Sequence, residues 1–183
     1  AEGLLHAAGV AMRHAKRLGR GHCQYYASEL NARSLLRLGL EERLRRAIEA
    51  NSASVRPEGS DELLLHFQPQ FDLRSGRITG AEALLRWRTV ERGLIPPSEF
   101  IPVAEESGLI VPLGQWVRHA VCRHVRRWTD AGLAVPRVAF NASPLELRDP
   151  HFMDGLQAAL REDGLTGYAL TLEITESAAR HFG

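Results

Sequence analysis

Two acids stand inside apolar runs where a strand interior should be hydrophobic: Glu82 in Gly80-Ala81-Glu82-Ala83-Leu84-Leu85-Arg86-Trp87, and Glu173 in Leu172-Glu173-Ile174-Thr175-Glu176-Ser177. A period of two puts Glu82, Leu84 and Arg86 on one strand face, so a carboxylate and a guanidinium look the same way. Charges are costly to bury unpaired, which leaves two readings: they pair with each other, or they serve a ligand. Asn141 follows the apolar Val138-Ala139-Phe140 and precedes Ala142-Ser143-Pro144, as a turn or cap residue at a strand-to-helix junction or as an oxygen ligand. Glu176 with Ser177 reads as the start of a loop. Two carboxylates and an amide oxygen at or near the ends of three strands suit a hard divalent cation, magnesium or manganese, rather than zinc. The eight histidines add no zinc pattern, since His119 and His124 lie five apart and face different sides of a helix.

These residues need strands to hold them, and the chain supplies the signals. Leu63, Leu65 and Phe67 alternate with Leu64, His66 and Gln68, and after a Ser75-Gly76 turn Ile78 to Trp87 makes a second, adjacent strand. Leu113, Val117, Val121, Val125 and Trp128 trace a helix, Val138 to Phe140 a short strand, Phe152 to Leu160 a helix and Ala169 to Ile174 another strand. That alternation of strands and helices argues for a parallel sheet. Before Asp61 the pattern differs. A helix is expected over residues 2–18 with Gly19 at its C-terminus, then a short strand His22 to Tyr26, then a helix over 29–49 capped by Ser28, with Leu36, Leu40, Leu44 and Ile48 stepping by four. Asn51 to Ser60, rich in Ser, Pro, Glu and Gly, reads as a linker and a domain boundary.

The chain has 183 residues with 44% apolar and 25% charged, enough for one domain or a domain plus a fragment with a core. A net charge of +1 gives no footprint for a nucleic-acid polymer and no polybasic membrane segment. Cys23 and Cys122 form no metal spacing, so a reducing, cytoplasmic location is expected, with a membrane anchor left open for a longer parent. No apolar run approaches the roughly 20 residues of a membrane span. The first residue is Ala rather than Met, which suggests a chain cut from something longer.

At Glu82-Ala83-Leu84-Leu85-Arg86-Trp87 the sequence resembles the motif that names the EAL family of bacterial cyclic di-GMP phosphodiesterases. The likeness runs through Phe67-Gln68-Pro69-Gln70, Gly93-Leu94-Ile95-Pro96-Pro97, Glu99-Phe100-Ile101-Pro102, Ala104 to Ile110, Phe140-Asn141-Ala142-Ser143 and Leu172 to Ser177. The resemblance implies an α/β fold, a partial TIM-type (β/α) barrel formed by the first half of an EAL barrel over residues 61–183. Residues 4–26 are similar to the end of a GGDEF domain at Ala11-Met12, Ala15-Lys16 and Gly19-Arg20. That makes 1–27 a helix-and-strand remnant of such a domain and 28–60 a connector. The cyclase loop of the GGDEF family is absent, so synthesis of cyclic di-GMP is not expected.

By the same resemblance Glu82, Asn141 and Glu173 would be metal ligands and catalytic groups for magnesium or manganese. Arg86 would hold a substrate phosphate, Gln68 and Leu84 would contact cyclic di-GMP, and Glu176 would brace a loop. The reaction would be metal-assisted hydrolysis to the linear dinucleotide. The family's Asp-Asp-Phe-Gly loop and its lysine have no counterpart: no Asp-Asp pair occurs, and the sole lysine is Lys16. Four strands are expected where a closed barrel needs eight, so the isolated chain should be marginally stable and should not hydrolyse cyclic di-GMP alone. The alternatives are a non-catalytic cyclic di-GMP receptor or partner-binding module, and a homodimer in which two half barrels pair.

Overall fold

The computed structural model describes residues 8, 9, 12, 13, 16, 28–52, 62–133 and 137–174. The helix expected over 2–18 lies almost wholly outside these, and the strand His22–Tyr26 and Glu176 lie outside them entirely. Two compact units divide the chain, Ala1–Arg43 and Leu44–Gly183. Helix α1 (Ser28–Ser52) runs three residues further than the expected 49, into the stretch read as linker. Its row of four leucine and isoleucine positions is buried at Leu40, Leu44 and Ile48, while Leu36 is 74% exposed. In the second unit the end of α1 is tied down by Asn51, whose Nδ2 donates to the Leu63 carbonyl at 3.1 Å.

That unit is a sheet with helices packed on it. Its elements are β1 (Leu63–Phe71), β2 (Ile78–Thr89), β3 (Gly93–Ile95), α2 (Pro97–Ser107), α3 (Ile110–Asp130), β4 (Arg137–Ala142), α4 (Pro144–Leu147), α5 (Phe152–Glu162), a 3-10 turn at Gly167–Ala169 and β5 (Leu170–Ile174). The order across the sheet is β1-β2-β4-β5, with β3 on β2 beyond its pairing with β4.

The expectation of a parallel sheet is corrected to a mixed one. β2–β4 and β4–β5 are parallel, whereas β1–β2 and β2–β3 are antiparallel. The cause lies in the connections, because parallel neighbours need a crossover of a dozen or more residues and antiparallel ones need only a turn. The Asp72 carboxylate accepts from the Ser75 and Arg74 N–H groups and the Ser75 hydroxyl, closing a short hairpin through Gly76 at φ 66°. The turn into β3 is equally short. There the Arg92 N–H donates to Thr89 Oγ1 at 3.1 Å, and Gly93 takes φ 66°.

Strand β3 and helices α2 and α4 are elements the periodicity did not disclose. A Pro at the first helical position starts α2, and Gly108 in the left-handed region ends it. The core lies between the sheet and α2, α3 and α5: Trp87 and Phe100 are fully buried with rings 5.6 Å apart edge to face, beside Phe140, Leu113, Val121 and Val138. Cys122 is buried in the same layer, where burial pushes its thiol up to about 11, an inert packing residue. Among the described residues no helix is long and apolar enough to cross a membrane.

Candidate functional site: one polar face of the sheet

Register decides which side chains share a face, because paired residues on neighbouring strands point to the same side. Gln68 of β1 pairs with Glu82 of β2. Glu82 pairs with Ala139 of β4, which puts Asn141, two residues on, on the same side. Asn141 pairs in turn with Glu173 of β5. Four strands, β1, β2, β4 and β5, therefore carry Gln68, Glu82, Asn141 and Glu173 across one face, with Leu84 and Arg86 further along β2 on that side.

Contacts answer the pairing and capping readings. Glu82 and Arg86 do not pair. Asn141 Nδ2 donates to Glu82 Oε1 at 2.8 Å, while Arg86 Nη1 donates to the carbonyl of Leu85 at 2.9 Å. Asn141 is not the cap of the following helix either. It sits within β4, and Ser143 caps α4. His119 lies 3.2 Å from Glu162 and His124 packs against Phe67 and Trp128, so neither histidine joins the face.

Could these donors hold a divalent cation? The hydrogen bond uses one Glu82 oxygen and one Asn141 amide proton, leaving the second carboxylate oxygen and the amide oxygen for a metal. With Glu173 beside Asn141 the set is all oxygen, which fits magnesium or manganese and not a thiophilic ion. Among the described residues no group of three His, Cys, Asp or Glu side chains is placed to hold a metal.

Behind this face lies a second polar cluster that the sequence reading missed. After Asn141, Ser143 and Glu146 form a reciprocal capping box: the Ser143 hydroxyl accepts from the Leu145 N–H at 3.3 Å, and Glu146 Oε2 accepts from the Ser143 N–H at 2.9 Å. The Ser143 hydroxyl also donates to Glu105 Oε1 of α2 at 2.7 Å. Glu146 Oε1 accepts from Arg118 Nη1 of α3 at 3.3 Å. Arg118 and Glu146 are 2% and 5% exposed, and the guanidinium stacks 4.5 Å over the Phe152 ring.

Burial pushes the Glu146 carboxyl up to about 7, opposed by the Ser143 N–H and by Arg118 and reinforced by Glu105. Burial likewise lowers Arg118, although Glu146 and Asp149 pull the other way. The spacing Ser143-x-x-Glu146 was the available signal, since Ser or Thr followed three residues later by Glu is a helix-start signature. A cavity of about 270 Å³ adjoins the cluster, lined by Leu85, Ile101, Leu113 and Val117 and also by Arg86 and Asn141.

Comparison with known proteins places the chain in a family. The family model described as EAL domain matches residues 41–182. The chain is 42% identical over 170 residues to the cyclic di-GMP phosphodiesterase PdeR of Escherichia coli, covering 93% of this chain and 24% of that protein. It is 40% identical over 173 residues to the bifunctional diguanylate cyclase/cyclic di-GMP phosphodiesterase MucR of Pseudomonas aeruginosa, covering 94% and 24%. The chain thus spans about a quarter of the length of these relatives. Among solved structures it matches a MucR phosphodiesterase in complex with cyclic di-GMP at TM-score 0.68 and 39% identity, over 77% of this chain and 53% of that one. With the family model matching most of its length and its polar face built on the motif strands, the chain belongs to the EAL domain family.

Proposed function

We propose that this chain contributes part of the site of a cyclic di-GMP phosphodiesterase, in which Glu82, Asn141 and Glu173 are oxygen donors to magnesium or manganese. The observation that carries the reading is the Asn141–Glu82 hydrogen bond of 2.8 Å, which joins two strands 59 residues apart and sets a carboxylate and an amide side by side. Kinship with PdeR and MucR supports the substrate. When bound, a divalent cation lowers the pKa of a water it holds and offsets charge on the phosphodiester.

The chain's own residues bind and orient the dinucleotide. Arg86 is suited to a substrate phosphate, because among the described residues its one side-chain hydrogen bond, to a backbone carbonyl, leaves other N–H donors free. Gln68, exposed and in register with Glu82, and Leu84 would contact the nucleotide beside it. Hydrolysis adds water to one phosphodiester and breaks one P–O bond, giving the linear dinucleotide with a terminal phosphate. Glu176 is proposed to brace the loop after β5. On this reading the first residues are the tail of a GGDEF domain and 61–183 the first half of an EAL barrel.

Two carboxylates and one amide supply part of an octahedral magnesium shell that water and substrate oxygens complete, and the expected lack of turnover rests instead on the family's Asp-Asp-Phe-Gly loop and lysine having no counterpart in this sequence. The test is to incubate the chain with cyclic di-GMP and magnesium or manganese and follow the linear dinucleotide by chromatography, alongside calorimetric titration of Mg²⁺, with Glu82→Ala in parallel. Mg²⁺ uptake lost in Glu82→Ala, without turnover, is expected. Turnover abolished by Glu82→Ala would show that the donors present suffice, and no Mg²⁺ uptake would sink the cation reading.

A further inference from the structure

The buried cluster behind the sheet is costlier than the fold alone requires. Replacing a buried ion pair with well-packed apolar residues is commonly neutral or stabilising, so Arg118 and Glu146 are poorly explained as glue between helices. What an apolar pair could not supply is direction. Glu146 spends one oxygen on Arg118 and the other on the Ser143 N–H, and Ser143 spends its hydroxyl proton on Glu105. Three helices, α2, α3 and α4, thereby fix one residue of the turn by its backbone and its side chain. Asn141 stands two positions before that residue, with only Ala142, itself buried, between them.

Room for this arrangement is reserved. Gly114 on α3 lies against the Glu146 carboxylate so closely that a Cβ there would overlap it. The Asn141 side chain is exposed on the polar face and, among the described residues, has one hydrogen bond, to Glu82. Asn141 lies near the end of β4, so the direction of its side chain depends on how the strand end is held where it passes into the Ser143 turn.

We propose that Arg118 and Glu146 are positioning residues for Asn141: they clamp the β4–α4 turn through Ser143 so that the Asn141 amide meets the Glu82 carboxylate in the geometry that receives a divalent cation. The cation part of this inference rests on the function proposed above, and the positioning part does not. Partners that orient metal ligands from behind typically change metal affinity by about 10–100-fold when removed.

The test uses the ¹⁵N-labelled chain, with two readouts: the Asn141 side-chain amide resonance, assigned by its loss in Asn141→Asp, and the affinity for Mg²⁺ alone. Glu146→Ala is expected to move the resonance toward that of a solvent-exposed amide and to weaken Mg²⁺ binding about tenfold. Glu146→Gln, which keeps an acceptor for the Ser143 N–H, should recover most of both. Val121→Ala, a core truncation on the same helix, should lower stability and move neither. The double variant Arg118→Met/Glu146→Leu keeps a packed core without the acceptor and should reproduce the Glu146→Ala result if the single variant does not fold. A folded Glu146→Ala or double variant with an unmoved Asn141 resonance overturns the proposal, as does a Val121→Ala chain that moves it equally. If the unsubstituted chain takes up no Mg²⁺, the functional reading fails while the amide resonance still decides the positioning.

Discussion

The two faces at the end of β4 make a direct contrast. In front, Gln68, Glu82, Asn141 and Glu173 are exposed or half-buried and come from four strands, and among the described residues their side chains are linked by one hydrogen bond, between Asn141 and Glu82. Behind, Glu105, Arg118, Ser143 and Glu146 form a connected set with two members almost wholly buried. A front-face residue can be lost with little effect on folding, because water takes over its hydrogen bonds. A rear-face residue leaves a buried partner unsatisfied. Chemistry and stability are thus separated by the thickness of one strand.

The contrast can be broken most forcefully in the core that both faces share. Trp87→Ala removes a fully buried indole that packs edge to face against Phe100 and donates to Glu62 at 3.1 Å, and should cost about 3–5 kcal/mol by urea denaturation. Arg118→Met comes next, at about 3 kcal/mol at pH 8, where Glu146 must either stay ionised without its partner or take up a proton against the pH. The pH dependence has a definite sign. A buried carboxyl whose pKa rises from 4.5 to about 7 binds more protons folded than unfolded, so this group's contribution favours folding at low pH and declines as pH climbs from 4.5 through 7. Without Arg118 the carboxyl is held higher still. The deficit of Arg118→Met should therefore shrink at pH 5, where Glu146 is protonated, and a deficit equal at both pH values would remove Glu146 from the account.

Asn141→Ala should cost about 1 kcal/mol or less while abolishing Mg²⁺ uptake, the front-face signature. A large stability loss would merge the two faces into one. The smallest effect is expected at Arg92→Ala. Its pair with Glu99 is solvent-exposed, and thermal melts of the variant at moderate salt should overlay those of the parent chain.

How much of this was legible beforehand follows the same division. Glu82 and Glu173 stand out because an acid breaks an apolar strand pattern, and the register then puts them on one face with Asn141. The Glu82–Arg86 alternative could not be resolved from spacing. Residues i and i+4 on a strand share a face yet need not touch, and the Glu82 partner came from a strand 59 positions away. Parallel pairing was over-read because alternation of helices and strands says nothing about a short hairpin at Asp72 to Gly76, where turn chemistry alone sets direction. Helix α2 went unseen because Pro102 lies within it and its apolar residues, Phe100, Val103 and Ala104, span barely one turn. The capping box at Ser143 was legible, but its consequence was not: only the tertiary approach of α3 shows that the same glutamate meets Arg118.

The hairpin and the parallel pair also differ in the order in which a folding chain can reach them. Phe71 and Ile78 meet across a loop of a few residues, whereas Asn141 must find Glu82 across 59. An eightfold longer loop adds about 2 kcal/mol of closure entropy, repaid only when α2 and α3 have packed on the sheet. The β1–β2 hairpin can therefore form while the polar face is still dispersed, and pulse-labelled amide exchange should show the β1–β2 amides protected before those of β4. A nascent chain would then present Glu82 to solvent with no amide beside it, so any affinity for a divalent ion arrives as a late event of folding, in step with the closing of the helical layer.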